Sequence, residues 1–125
     1  MLRIIVATAQ PEGLRFFIET LSSDSEVRLD EVRSGTEALS LVSTSSAHLV
    51  VIDRELPDIK PLELVRKLLT HNAMVSTAVV SSLSEEEFHE ASEGLGILAR
   101  LPVQPGKDDA AELMNKLRSV LGQLG

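Results

Sequence analysis

The feature that most constrains this chain is the run Leu49-Val50-Val51-Ile52 and the aspartate, Asp53, that ends it. Four apolar residues stand in succession, three of them β-branched, and Pro57 and Asp58 follow shortly after. A run that short, bounded by turn residues, is a strand buried on both faces of a parallel sheet, because a half-exposed strand would alternate polar and apolar side chains. In open α/β sheets the ligand crevice lies outside the carboxyl ends of the strands. A carboxylate at the end of such a strand is reachable by solvent while held rigidly from below. Asp53 is therefore the leading site candidate.

The rest of the chain arranges itself around that strand. Leu2 to Ala7 is a second buried run, left through the loop Thr8-Ala9-Gln10-Pro11, and its end faces the same crevice as Asp53. Pro11 suits a first helical turn, and Leu14, Phe17, Ile18 and Leu21 follow at helical spacing. Glu26 to Val32 partly alternates, as a strand near the sheet edge does. Ser34-Gly35 opens a helix carrying Ala38, Leu39, Leu41 and Val42. After Asp53, Pro61 to Thr70 is amphipathic, with Leu62, Leu64, Val65, Leu68 and Leu69 apolar. Val75 to Val80 is a fourth strand ending at Ser81-Ser82. Glu85-Glu86-Glu87 begins a helix that runs to the stop at Gly94-Leu95-Gly96, acidic in its first turn as the helix dipole favours. Ile97 to Leu101 is a fifth strand. Asp108 to Leu121 is a last helix with Ala111, Leu113, Met114, Leu117, Val120 and Leu121 turned inward. Five strands alternating with five helices, joined by right-handed crossovers, predict a doubly wound parallel α/β sheet in the order 2-1-3-4-5.

Composition narrows the function. At 125 residues the chain is expected to be a single domain spanning 1–125. It has no cysteine, which excludes disulfides and thiol chemistry. No apolar run approaches the roughly 20 residues of a membrane helix, and the short apolar N-terminus does not make a signal peptide, so a cytoplasmic location without membrane attachment is the default expectation. Twelve basic against nineteen acidic residues give a net charge of −7. That balance speaks against a nucleic-acid surface, which needs clustered Lys and Arg. Three phenylalanines and no Tyr or Trp leave few platforms for stacking bases or nucleotides. His48, His71 and His89 lack ligand spacing, so no metal site is expected from them. The Thr8–Pro11 loop has no glycine with which to cradle a phosphate. Glu85, Glu86 and Glu87, with Ser84 as N-cap, form most simply a solvated first turn.

With Leu49-Val50-Val51-Ile52-Asp53-x-x-Leu56-Pro57-Asp58 before a helix, Ser34-Gly35-x-x-Ala38-Leu39 ahead of it, and Gly94 eight residues before Pro102, the chain resembles the receiver domain of two-component response regulators over essentially its full length. The resemblance implies a flavodoxin-like (βα)5 sandwich and a place in phosphorelay signalling. It also implies that Asp53 stands at the position that accepts a phosphoryl group from a histidine kinase. The change in that family repacks the face made by the fourth helix, fifth strand and last helix. Protein partners follow from this, a histidine kinase or an output domain among them, as does a homodimer through that face.

The same resemblance predicts an atypical site. Attack of a carboxylate on an already negative phosphoryl group needs cations: a Mg²⁺ held by an acidic pair after the first strand, and a lysine after the fifth. The acidic pair falls on Thr8 and Ala9, the lysine on Leu101, the switch aromatic on Leu98, and the glycine after the acceptor's loop on Pro61. Ser81 keeps the Ser/Thr position of the fourth strand. Losing a metal and a lysine removes several kcal/mol of charge stabilisation, and about 1.36 kcal/mol is tenfold in rate. The expectation is a pseudo-receiver that works by protein–protein interaction, has no catalytic residue and needs no cofactor. The alternative is a receiver phosphorylated on Asp53 with Mg²⁺. A plainer role for Asp53 is to cap or hydrogen-bond its own loop, and for Ser81 and Ser82 to satisfy loop amides at the strand end.

Overall fold

The computed structural model describes residues 1–124. Its sheet consists of β1 (Leu2–Ala7), β2 (Val27–Val32), β3 (Leu49–Ile52), β4 (Ser76–Val80) and β5 (Ala99–Leu101), all parallel, in the order β2-β1-β3-β4-β5. Between and after them run α1 (Arg15–Ser22), entered through a 3₁₀ turn at Pro11–Leu14, then α2 (Gly35–Thr44), α3 (Pro61–His71), α4 (Glu85–Ala91) and α5 (Lys107–Leu124). The predicted strand order and the edge position of β2 are both observed.

Strand alternation divides the core into two layers. Ile4, Val6, Leu49, Val51, Ala78, Val80, Ala99 and Leu101 point to the side covered by α1 and α5, where they meet Phe17, Leu21, Leu113 and Leu117. Ile5, Ala7, Val50, Ile52 and Val79 point to the other side, against Ala38, Val42, Leu64, Val65, Leu68 and Phe88. All four residues of β3 are fully buried, which accounts for their unbroken apolar run.

Several details differ from expectation. The fifth strand is shorter than Ile97–Leu101, because Gly96 takes a positive φ of 62° and the chain joins the sheet only at Ala99. Helix α4 ends at Ala91, ahead of the Gly94 turn, whose φ of 84° suits glycine. In α5 the inward alanine is Ala110, fully buried, and Ala111 faces solvent. Among the described residues no helix is long and apolar enough to cross a membrane.

Candidate functional site

The parallel register brings the ends of β1 and β3 side by side. The Asp53 amide donates to the Ala7 carbonyl at 3.0 Å, and Thr8 is held on its other side by donating to the Val32 carbonyl at 2.9 Å. Two consequences follow for the side chains. Thr8, only 2% exposed, sends its hydroxyl to Asp53 Oδ2 at 2.6 Å. The same hydroxyl oxygen accepts from the Gln10 amide at 3.0 Å, and the Arg54 amide donates to Asp53 Oδ1 at 2.8 Å. Each carboxylate oxygen of Asp53 thus carries one donor from the protein, and the aspartate remains half-buried.

Around this pair the crevice is small. A cavity of about 200 Å³ is lined by Ala9, Gln10, Asp53, Arg54, Glu55, Leu56 and Pro57. Its carboxylates are Asp53 and Glu55, and among the described residues no group of three or more His, Asp or Glu side chains is placed to hold a metal ion. Mg²⁺ demands near-octahedral oxygen ligation with one or two carboxylates. The positions after β1 offer a hydroxyl already donating to Asp53 and an exposed alanine, so the donor set does not fit the ion.

The remaining expected positions are spread over neighbouring strand ends. Ser81 follows β4 and is half-buried. Its amide donates to the Leu101 carbonyl at 3.0 Å, and its Oγ accepts from the Leu83 amide at 3.1 Å, a strand-end hydroxyl satisfying its own loop. Leu101 is 3% exposed and belongs to the core layer beneath α1 and α5. Leu98 packs partly against that layer and lines a groove with Phe88, Ile97 and Lys116. Pro61 starts α3.

Two site-shaping residues were not legible as such. Asp58 reaches across to the start of α2: Oδ1 accepts from the Gly35 amide at 2.9 Å, and Oδ2 accepts from the Thr36 amide at 2.9 Å and the Thr36 hydroxyl at 2.7 Å. These donors, the Thr36 hydroxyl foremost, pull the Asp58 carboxyl down to about 2. Ile59 presses so closely on Gly35 that a Cβ there would run into it. The loop after Asp53 is therefore clamped to α2, at orphan N–H groups that every helix start presents. Both partners were visible in the motifs Ser34-Gly35 and Pro57-Asp58, but not their meeting. The second residue is Arg100, whose side chain bridges β5 to the start of α4.

The chain belongs to the family of response regulator receiver domains, whose model matches residues 4–102. Among curated proteins it is similar to protein-glutamate methylesterase/protein-glutamine glutaminase 4 of Myxococcus xanthus, 31% identical over 125 residues. That alignment covers 96% of this chain and 35% of the relative, so the chain spans about a third of that protein's length. Among solved structures, a CheY-like response regulator receiver domain protein from Methanospirillum hungatei superimposes with a TM-score of 0.86 at 18% identity, covering 100% of this chain and 99% of that one. The receiver domain of the Francisella response regulator 1452 gives 0.82 at 18% identity, with coverages of 96% and 99%. At such identities these likenesses speak to the fold.

Proposed function

We propose that this receiver domain is a pseudo-receiver: a single signalling module over residues 1–125 that works through protein contacts made by α4, β5 and α5, without Mg²⁺-dependent phosphorylation of Asp53 and without catalysis of its own. The observation that carries the reading is the Thr8–Asp53 bond. In a phosphorylatable site one acceptor oxygen attacks phosphorus while a metal draws charge from the phosphoryl group. Here Thr8 donates to Oδ2, the Arg54 amide donates to Oδ1, and no second carboxylate stands after β1. The partner face is supported by the groove beside α4, about 390 Å³, with Phe88, Ile97 and Leu98 among its apolar lining and Glu85, Glu93, Arg100 and Lys116 contributing both signs of charge. A histidine kinase, an output domain or a second copy of the chain are the partners such a face suits, and the net charge of −7 disfavours nucleic acid.

The direct test is exposure of the purified domain to a small-molecule phosphoryl donor with Mg²⁺, followed by intact-mass measurement, and to Mg²⁺ with beryllofluoride, followed by amide NMR. No mass increment and a silent spectrum are expected. A phosphoryl increment lost in Asp53→Asn, or amide shifts spreading from Asp53 to Ser81 and Leu98, would establish the second reading, in which Asp53 accepts phosphoryl from a histidine kinase. That reading draws its support from the family match and from Asp53 and Ser81 standing at adjoining strand ends.

A further inference from the structure

Alternation along β5 turns Arg100 away from Leu101 and onto the sheet face of Val79, its neighbour in register, at a position flanked by the buried Ala99 and Leu101. A packing side chain belongs there, yet the chain places its longest cation. The Arg100 side chain is 24% exposed. Its Nη1 donates to the Ser81 carbonyl at 3.3 Å, and its Nη2 lies 3.9 Å from Glu85 Oε1. Its Nε is the one side-chain polar atom among the described residues that is buried without a partner. Burying a guanidinium with an N–H unpaired costs free energy that an apolar side chain at this position would not.

Among the described residues the guanidinium supplies the one side-chain hydrogen bond between β5 and the β4–α4 loop. The loop between β4 and α4 is joined to β5 by one backbone bond, from the Ser81 amide to the Leu101 carbonyl. Its other bonds are internal: the Leu83 amide to Ser81 Oγ, and the capping box in which Ser84 Oγ accepts from the Glu87 amide while the Glu87 side chain accepts from the Ser84 amide. Among the described residues Arg100 is the side chain that ties the strand-end carbonyl of Ser81 to β5, with a longer contact to Glu85, the first residue of α4.

We propose that Arg100 is a positioning residue that holds the β4–α4 loop and the first turn of α4 against β5, so that the α4 face keeps one arrangement in the absence of a phosphoryl group. This deepens the reading of that face given above and rests on it. Its energetic signature is unusual: removing the guanidinium loosens the loop while sparing or raising global stability, because the orphan Nε goes with it.

The test is hydrogen exchange read by mass spectrometry, with guanidinium denaturation alongside, on the unphosphorylated chain and its variants Arg100→Met, Arg100→Lys and Glu85→Gln. In Arg100→Met, exchange of amides 82–92 is expected to rise about tenfold or more, with β1 and β3 unchanged and the denaturation midpoint equal or higher. Arg100→Lys keeps most of the protection, since one ammonium still reaches the Ser81 carbonyl. Glu85→Gln moves exchange by no more than about threefold, its contact being long and its side chain exposed. Unchanged exchange in Arg100→Met would overturn the proposal. So would a rise shared by every strand with a lowered midpoint, or Arg100→Lys behaving as Arg100→Met. The measurement needs neither phosphoryl donor nor partner, so its outcome is separate from the tests of the pseudo-receiver reading.

Discussion

Asp53 should stabilise this domain, and the sign of that effect distinguishes it from an acidic phosphorylation site. Where two or three carboxylates crowd one crevice, deleting one relieves like-charge repulsion and tends to raise stability. Here the neighbour after β1 is a donating hydroxyl, so deletion removes an attraction. A charge-assisted O–H···O⁻ bond is worth about 1.5–3 kcal/mol net. Asp53 is half-buried and water can partly replace its donor, so Thr8→Val is expected to cost about 1–2 kcal/mol, part of it from the Gln10 amide left without its acceptor. Asp53→Ala strands the Thr8 hydroxyl at 2% exposure and should cost a similar amount, about 1–2 kcal/mol. In the double variant neither group is orphaned, and the loss falls short of the sum by about 1 kcal/mol. For a chain of this size about 1 kcal/mol is roughly 4 °C in Tm, well within calorimetric resolution. Agreement of the double variant with the sum to within about 0.3–0.5 kcal/mol would show that the two side chains do not couple. An Asp53→Ala variant more stable than the parent would refute the argument outright.

Other consequences can be checked on the same material. Asp58→Ala unclamps α2: the lowered carboxyl pKa corresponds to at most roughly 2.4 kcal/mol, and solvent screening at this exposed position reduces the expected cost to about 1 kcal/mol. Because the folded pKa lies below the ordinary 3.8, that contribution is present above about pH 4, and the gap between parent and variant in urea titrations should close as pH falls toward 2. Gly35→Ala forces a methyl onto Ile59 and should cost about 1–3 kcal/mol, most of it recovered when Ile59→Ala is added; a Gly35→Ala chain as stable as the parent would show that Ile59 yields freely. Thr8→Asp with Ala9→Asp places carboxylates after β1, and calorimetric titration should then detect Mg²⁺ binding, with no heat expected from the parent; heat of binding in the parent would contradict the misfit of its donor set.

The architecture was legible because its signals are local. The unbroken apolar run of β3 records burial on both faces, the partial alternation of β2 records an edge, and helical spacing within Pro61–Thr70 reappears as the buried trio Leu64, Val65 and Leu68. The site was legible only as positions. Asp53, Thr8 and Ser81 could be placed at strand ends from their spacing, but what each side chain does there depends on partners far away in sequence. Thr8 meets Asp53 across 45 residues, Gly35 meets Asp58 across 23, and Arg100 meets Ser81 across 19. No periodicity carries such information. The misplaced ends of β5 and α4 have a nearer cause: Leu95, Ile97 and Leu98 are apolar because they pack under α4 and beside α5, which a one-dimensional reading cannot separate from strand hydrophobicity.

These contacts share a physical logic. An acidic cluster around a phosphoacceptor carries like-charge repulsion, which a bound cation or a raised carboxyl pKa offsets. In this chain Thr8 meets Asp53 at the ends of β1 and β3 through a 2.6 Å hydrogen bond, with no carboxylate beside it there, and Leu101 is part of the core. On the pseudo-receiver reading proposed above, the crevice then needs no metal, and Asp53 sends no charge change to α4. On that reading, the α4 face proposed to meet a partner needs its order from elsewhere. Arg100, reaching from β5 to Ser81 and Glu85, stands where that order can be supplied.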